Sequence, residues 1–448
     1  MPSTDARGRA HIVLVPGFAG FDALGQIEYY AGVTPLLQRW KASTGAHHAV
    51  LHYFDNLPTA NVATRAKRLG AYLAKRLARG EFQPGDTLAL VGHSTGGLDI
   101  RRMVLDLAER ARTEVEESIP VDGAANTASR VQPEAILGMH LRLVFLSVPQ
   151  WGTNIADWVR ARPIERQVTV ESLRNSVAAA RLPKVDIAQS FLVGLAANAT
   201  EADFFRAVQD ALAEMDEHAV RADAPDRPSR LADAQDAQSQ VALWLRHIAT
   251  DFGAIDDLAS GVPPNCSSPA QFDAERRRKE QATWDRYGIA SRSYATVASR
   301  PYDLGGEVPV PVFDLCKPWR SPPETGLEGT DLAYRLCYRA CAGGPFTYPE
   351  GPIPPLLLFA GHGQPWPLEP WDNDGIVNTA SMLWPEGAKT RLVHADHGDI
   401  IGHFALRPAK EDTGRRYDSY DLLGSASHFD QGEFEKVWRD VFDVCVER

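Results

Sequence analysis

The stretch Thr87–Arg102, TLALVGHSTGGLDIRR, constrains this chain more than any other. Leu88, Ala89, Leu90 and Val91 form a short apolar run that reads as a strand buried on both faces. Gly92-His93-Ser94-Thr95-Gly96-Gly97 ends it before a helical pattern opens. In that setting, strand to tight turn to helix, Gly-x-Ser-x-Gly reads as a nucleophile elbow: the serine occupies a strained turn, and the glycines leave room that side chains would deny. The strain lifts the hydroxyl clear of the sheet, while the helix points its free N–H groups and positive end at the same spot. The pentapeptide alone arises by chance in many chains. The buried strand before it and the extra Gly97 after it favour the functional reading over a Gly-rich turn.

The flanks repeat the alternation. His11–Val15 is an apolar strand running into the Gly-rich loop Pro16-Gly17-Phe18-Ala19-Gly20-Phe21, where a second oxyanion donor would sit beside such an elbow; a simple turn is the alternative. A helix is expected to reach about Trp40, and Ala49–Phe54 makes the next strand. Val62, Ala66, Leu69, Leu73 and Leu77 mark an amphipathic helix over Asn61–Arg79, with Gly80 closing it. Strands follow at Leu141–Val148, Ser291–Ala298 and Thr390–His394, and a last helix turns Phe434, Val437, Trp438, Val441 and Phe442 inward. Strand alternating with helix implies an α/β fold, a mostly parallel twisted sheet with helices on both faces.

One segment breaks the alternation. From about Ile155 to Asp285 the pattern is helical without strands: Phe204, Val208, Ala211, Leu212 and Met215 share one face, as do Val241, Leu245 and Ile248. A polar connector, Arg221–Gln240, separates them. Excursions of this length are lids or linkers, so the expected organisation is a core over 8–155 and 286–448 with a helical cap over 156–285. Residues 111–135 read as a loop, residues 301–370 are too rich in Pro and Gly for long elements, and Trp371–Gly375 opens a helix-like stretch.

A serine hydroxyl needs a histidine to take its proton, and that imidazole needs a carboxylate to hold its tautomer. When the serine sits in this kind of elbow, the acid follows it and the histidine comes last. Asp372 and Asp374 stand at a late strand-to-loop junction; Asp374, in a turn beside Gly375, is preferred, with a helix N-cap as its plainer role. Among late histidines, His394 lies within a strand, His397 just past its end, and His403 further on, where it could simply pack.

Composition sets the outer limits. With 448 residues, 44% hydrophobic and 23% charged, the chain can bury a large core. Its net charge of -11, from 47 basic and 58 acidic residues, argues against nucleic acid, and no apolar run is long enough to make a transmembrane segment. The opening MPSTDARGRA lacks an apolar signal region, so the expectation is a cytoplasmic protein as written, or a secreted one if this is a mature form. The 5 cysteines form no framework; Cys316, Cys337 and Cys341 leave room for one disulfide or for free, buried thiols. No feature specifies an oligomeric state.

Taken together, GFAGF with EYYAGV, then GHSTGG, NDGIVNTASM and DHGDIIG, resemble the thermoalkalophilic group of bacterial true lipases, serine esterases of the α/β-hydrolase fold. A weaker likeness runs through Ile255-Asp256-Asp257-Leu258 and SYATVAS, so it covers most of the core but not the helical insertion. The resemblance implies Ser94 as nucleophile, Asp374 as acid and His397 as base, with the backbone N–H groups of Phe18 and Thr95 as the oxyanion hole. It also implies a structural calcium near His397. Asp399 matches one carboxylate of that site, and Phe404 stands where a second acid is expected. The chain departs from the group at Pro16, where a histidine is frequent, and at Pro149-Gln150-Trp151-Gly152, where the pattern is P-H-x-G. It also lacks the group's zinc-binding insertion before the elbow. His47, His48, His52 and Asp55 therefore read as surface and strand residues, and no zinc is expected.

The expectation is a carboxylic ester hydrolase needing no cofactor and acting on a lipophilic ester such as an acylglycerol, whose acyl chain the Leu-, Val-, Phe- and Trp-containing cap would cover. A polyester depolymerase or an acyltransferase would use the same three residues. The rival of another class is a binding protein that keeps the hydrolase fold without activity; the full Ser, Asp and His set in the right order counts against it.

Overall fold

The computed structural model describes residues 8–18, 23–24, 27–57, 60–112, 119–120, 130–160, 253–259, 274–298, 334, 337–349, 351–359, 365–384, 389–404, 423, 425, 427 and 429–447. Its centre is a six-stranded sheet. In chain order the strands are β1 (Ala10–Val15), β2 (Ala49–Tyr53), β3 (Thr87–His93), β4 (His140–Leu146), β5 (Ala290–Val297) and β6 (Thr390–His394). In space they run β6-β5-β4-β3-β1-β2. Every neighbouring pair is parallel. Parallel strands need crossovers, and these bring helices onto the sheet, which is why every residue of β1 and β3 is buried.

Alternate side chains of each strand feed two cores. On one face Val13, Leu88, Leu90 and Leu143 pack against helices α2 (Val62–Ala78) and α3 (Thr95–Arg112) through Leu69, Leu73, Leu98 and Met103. On the other, Ile12, Leu14, Val91 and Val144 meet α1 (Val33–Thr44) and the C-terminal helix (Gln431–Val446) through Leu36, Trp40, Val437, Trp438 and Phe442. The Asn61 side chain caps α2 by accepting from the Thr64 N–H, an interaction worth about 1 kcal/mol. Asp257 reaches the same helix end and accepts from the Val62 N–H at 2.7 Å. This is the mostly parallel, helix-flanked sheet of the α/β-hydrolase fold.

Two local expectations change. The region read as a loop over 111–135 contains a two-stranded antiparallel ribbon, Ile119–Pro120 with Arg130–Val131, and a short helix, Pro133–Leu137. Strands this short carry no legible period. The residues after Trp371 form a turn closed by a bridge between Asn373 and Asn378, and only then a 3-10 helix, Thr379–Met382. Of the segment 156–285 the structure describes 156–160, 253–259 and 274–285; the two amphipathic faces and the connector expected between residues 204 and 248 lie outside the described residues.

Both described borders of that segment are anchored. Asn154 opens the helix Asn154–Arg160, its N–H donating to Asn378 Oδ1 and its side chain to the Cys341 and Gly344 carbonyls. At the other border, Glu280 in the helix Ala274–Tyr287 takes a two-pronged ion pair from Arg101 of α3, at 2.5 and 2.6 Å, with both side chains buried. The Arg101 guanidinium also lies 5.2 Å from the ring of Trp384. Cys337, Cys341 and Cys445 are buried free thiols, and burial pushes Cys337 up to about 12. Cys316 lies outside the described residues. No described helix is long and apolar enough to cross a membrane.

A histidine pair spans β1 and β2: His11 Nδ1 is 3.0 Å from His52 Nε2, both rings lean on Phe82, and Asp86 stands 3.2 Å from His11 Nε2. Burial lowers both histidines, His52 to about 4; Arg76 lowers both further, Arg9 lowers His11, and Asp86 and Glu81 oppose the shift. A lowered histidine refuses a proton that the unfolded chain accepts, so stability is full above pH 6.5 and declines as the pH falls toward about 4. Urea midpoints measured across that window should fall with acidification, and His52→Gln should flatten the decline. Equal slopes for variant and wild type would mean that this pair does not carry it.

Candidate active site

Ser94 stands where β3 becomes α3, at φ 52°, left-handed for a residue other than glycine. Its N–H donates to the Leu146 carbonyl of β4 at 2.9 Å, and its carbonyl accepts from the Gly97 N–H at 3.1 Å. Gly96 explains the second motif glycine: a Cβ there would collide with the Val15 carbonyl and lie 2.6 Å from the Pro16 carbonyl. The helix can therefore start against the end of β1 only if that residue has no side chain.

Asp374 and His397 meet from separate loops. His397 Nδ1 lies 2.7 Å from Asp374 Oδ2, and the His397 N–H donates to the Asp374 carbonyl at 3.0 Å. The Asp374 carboxylate is fully buried. Its Oδ1 accepts from the Ile376 and Val377 N–H groups at 3.0 and 2.8 Å, and its Oδ2 also accepts from the Thr296 hydroxyl at 2.7 Å. In the neutral ring, donation from Nδ1 to the carboxylate leaves Nε2 as the acceptor. Asp372, the other candidate acid, accepts instead from the Glu369 N–H within its own turn. His394 ends β6, and His403 is buried with Nε2 donating to the Tyr29 carbonyl at 3.1 Å.

His93, just before the serine, ties these parts together. Its Nε2 lies 3.0 Å from the His397 carbonyl, which can only accept, so Nε2 carries the proton and Nδ1 accepts from the Tyr29 hydroxyl at 2.6 Å. Tyr29 in turn accepts from the Gly17 N–H at 2.8 Å. Burial, and next the neighbouring His397, hold His93 well below the usual histidine range, in keeping with a neutral ring. The His93 and His397 rings lie 4.5 Å apart.

The glycine loop after β1 lies against the serine: a Cβ on Gly17 would sit 2.5 Å from Ser94 Cβ. Phe18 follows it, half-buried, and Thr95 is buried at the first position of α3. Behind the loop, fully buried Arg65 donates to the Pro16 and Gly17 carbonyls at 2.9 and 3.1 Å and pairs with Asp99 at 2.9 Å. Asn56 donates to the same carboxylate. Burial pushes Asp99 up to about 7, against the pull of Arg65 and Asn56.

The turn that presents His397 is bracketed by two buried aspartates. Asp396 accepts at Oδ1 from the Gly398 and Asp399 N–H groups and at Oδ2 from the Ser425 hydroxyl; Asp399 Oδ2 accepts from the Asp396 N–H and, at 2.7 Å, from the Ser427 hydroxyl. These partners aim hydrogens, not lone pairs, at the carboxylates, and no group of three or more His, Cys, Asp or Glu side chains converges among the described residues. A calcium shell takes six to eight oxygens, and Asp399 is the residue of this turn that the resemblance would assign to one.

Sequence reading overlooked Arg65, Tyr29 and Thr296. Arg65 carried a signal, since it is a charge on the apolar stripe of α2 between Val62 and Leu69. Thr296 carried none, being one hydroxyl in a strand.

No family description and no curated protein matches the chain in sequence. Among solved structures, it is similar to a lipase of Staphylococcus hyicus, at 12% identity over 100% of this chain and 98% of that one, with a TM-score of 0.43. It is likewise similar to a mature lipase of Bacillus licheniformis (12%, 88% and 87%, TM-score 0.37). A third likeness is to a metagenomic carboxyl esterase (13%, 97% and 77%, TM-score 0.36).

Replacing Arg65 with Met strands Asp99 in the interior and releases two carbonyls of the glycine loop. Urea unfolding should register a loss of about 3–5 kcal/mol, the range for breaking a buried pair from one side. A loss below about 1 kcal/mol, the worth of a surface pair, would show that the pair does not hold the loop.

Proposed function

We propose that the chain is a serine hydrolase of carboxylic esters. The observation that carries this reading is the 2.7 Å contact between Asp374 and His397, made at the rim of the sheet where Ser94 is held in its left-handed turn. His397 Nε2 takes the proton of the Ser94 hydroxyl as its oxygen attacks the ester carbonyl, and the Phe18 and Thr95 N–H groups receive the oxyanion. The tetrahedral species collapses, His397 passes its proton to the leaving alcohol, and an acyl group remains on Ser94. Water, deprotonated by the same imidazole, then releases the acid and restores the serine. Asp374 holds the histidine tautomer and stabilises its cation during both steps. The nucleophile, base and charge stabilisation come from the chain itself, so the proposed reaction calls on no cofactor.

The substrate we propose is a lipophilic ester such as an acylglycerol. Support comes from the length and the Leu, Val, Phe and Trp content of the segment between residues 156 and 285.

A series of p-nitrophenyl esters from acetate to palmitate tests both parts. Wild type should release a burst of nitrophenol followed by slower turnover, with kcat/KM rising toward longer acyl chains. Ser94→Ala should abolish the burst, and Asp374→Asn should cut kcat by roughly 10⁴, the loss expected when the imidazole takes the wrong tautomer. Equal, near-zero rates for wild type and Ser94→Ala would leave the binding-protein reading in its place. A preference for acetate would overturn the lipophilic substrate alone.

A further inference from the structure

Among the described residues only two other than glycine have a positive φ, and both are serines: Ser94 at 52° and Ser147 at 49°. The elbow accounts for the first. The second directly follows β4, is fully buried, and has its N–H tied to the Tyr294 carbonyl of β5 at 2.9 Å. A serine held in this conformation asks for a reason, because strained backbone persists where the surroundings over-determine it and gathers at functional sites.

The Ser147 hydroxyl lies 2.8 Å from the Thr296 hydroxyl, which lies 2.7 Å from Asp374 Oδ2, the same oxygen that meets His397 Nδ1. The direction of this chain follows from proton count. A carboxylate accepts, so Thr296 spends its one hydrogen on Asp374; its oxygen is then an acceptor, and Ser147 is the donor. Thr296 is bound to the acid loop by its backbone as well: its carbonyl accepts from the Thr379 hydroxyl at 2.8 Å, and its N–H faces the Met382 sulfur at 3.2 Å. Two backbone amides fix Oδ1, but on Oδ2 Thr296 is the described partner besides His397.

We propose that Thr296 and Ser147 are positioning residues: a directed pair of hydroxyls holds Asp374 Oδ2 in the plane where it meets His397, and the left-handed turn at Ser147 exists to aim the first of them. This rests on the hydrolase reading above and adds two residues to it, neither of which touches substrate.

The test replaces the hydroxyls while sparing the fold. Thr296→Val, which keeps the shape and loses the donor, should lower kcat about 10- to 100-fold with KM unchanged, the order expected when a reacting group is slightly misplaced. Thr296→Ser, which keeps the donor, should restore kcat to near wild type. Ser147→Ala should lower kcat in the same direction. Ser147→Gly, which relieves the backbone but lacks the hydroxyl, should resemble Ser147→Ala. The proposal is overturned if Thr296→Val keeps its kcat, if Thr296→Ser falls as far as Thr296→Val, or if Ser147→Gly matches wild type. A stability cycle pairing Thr296→Val with Asp374→Asn in urea needs no activity: the two losses should be non-additive, and additive losses would also overturn the proposal. Were wild type as inert as Ser94→Ala, the hydrolase reading alone would fall, and the cycle would still decide whether the hydroxyl pair holds Asp374.

Discussion

Ser94 occupies a backbone conformation that crowds an L-residue's own side chain and costs about 1–2 kcal/mol. It persists because its neighbours allow nothing else. One hydrogen bond ties it to β4, another ties Gly97 back to it, and Gly96 lets α3 press against the end of β1. Those neighbours are the carboxyl ends of adjacent parallel strands, so sheet order itself decides which loops can reach the hydroxyl. The glycine loop leaves β1, Ser147 follows β4, Thr296 sits near the end of β5 and His397 hangs beyond β6. Were the strands ordered otherwise, the same side chains would be scattered.

The polar groups around that rim share a second property: most have only one way to donate. Carbonyls and carboxylates can only accept, and this propagates inward, setting the tautomer of His93, the hydrogen of Tyr29 and the hydrogen of Thr296. Buried polar atoms with a single consistent pattern have little freedom to rearrange, and rearrangement would leave one unpaired at a cost of about 1–3 kcal/mol. Arg65 and Asp99 extend the pattern behind the glycine loop, where a charged pair does what a single hydrogen bond could not, gripping two successive carbonyls at once.

Much of this was legible in the residue order because a parallel sheet buries both faces of its strands and so writes them as apolar runs. β1, β3 and β6 could be read within a residue or two for that reason. Asp374 was separable from Asp372 by the glycine beside it, and that glycine does adopt φ 94°. The ribbon at residues 119–120 and 130–131 was invisible, since two residues cannot show a period. Thr296 and Ser147 were invisible for a deeper reason: a hydroxyl near a strand end acquires meaning only when a loop some eighty residues later folds back onto it. Arg65 was readable and missed, a guanidinium standing where the stripe of α2 called for a hydrocarbon.

The buried pairing of Arg101 with Glu280, together with the hold of Asn154 on the turn around Asn378, gives the segment between them two fixed footings. Arg101 belongs to the helix that begins just after Ser94, so one footing stands on the same rod that carries the left-handed turn. Any redesign of the chain between these two footings therefore has to respect Asn154 and Glu280, because cutting either contact loosens a border that the sheet and its helices hold.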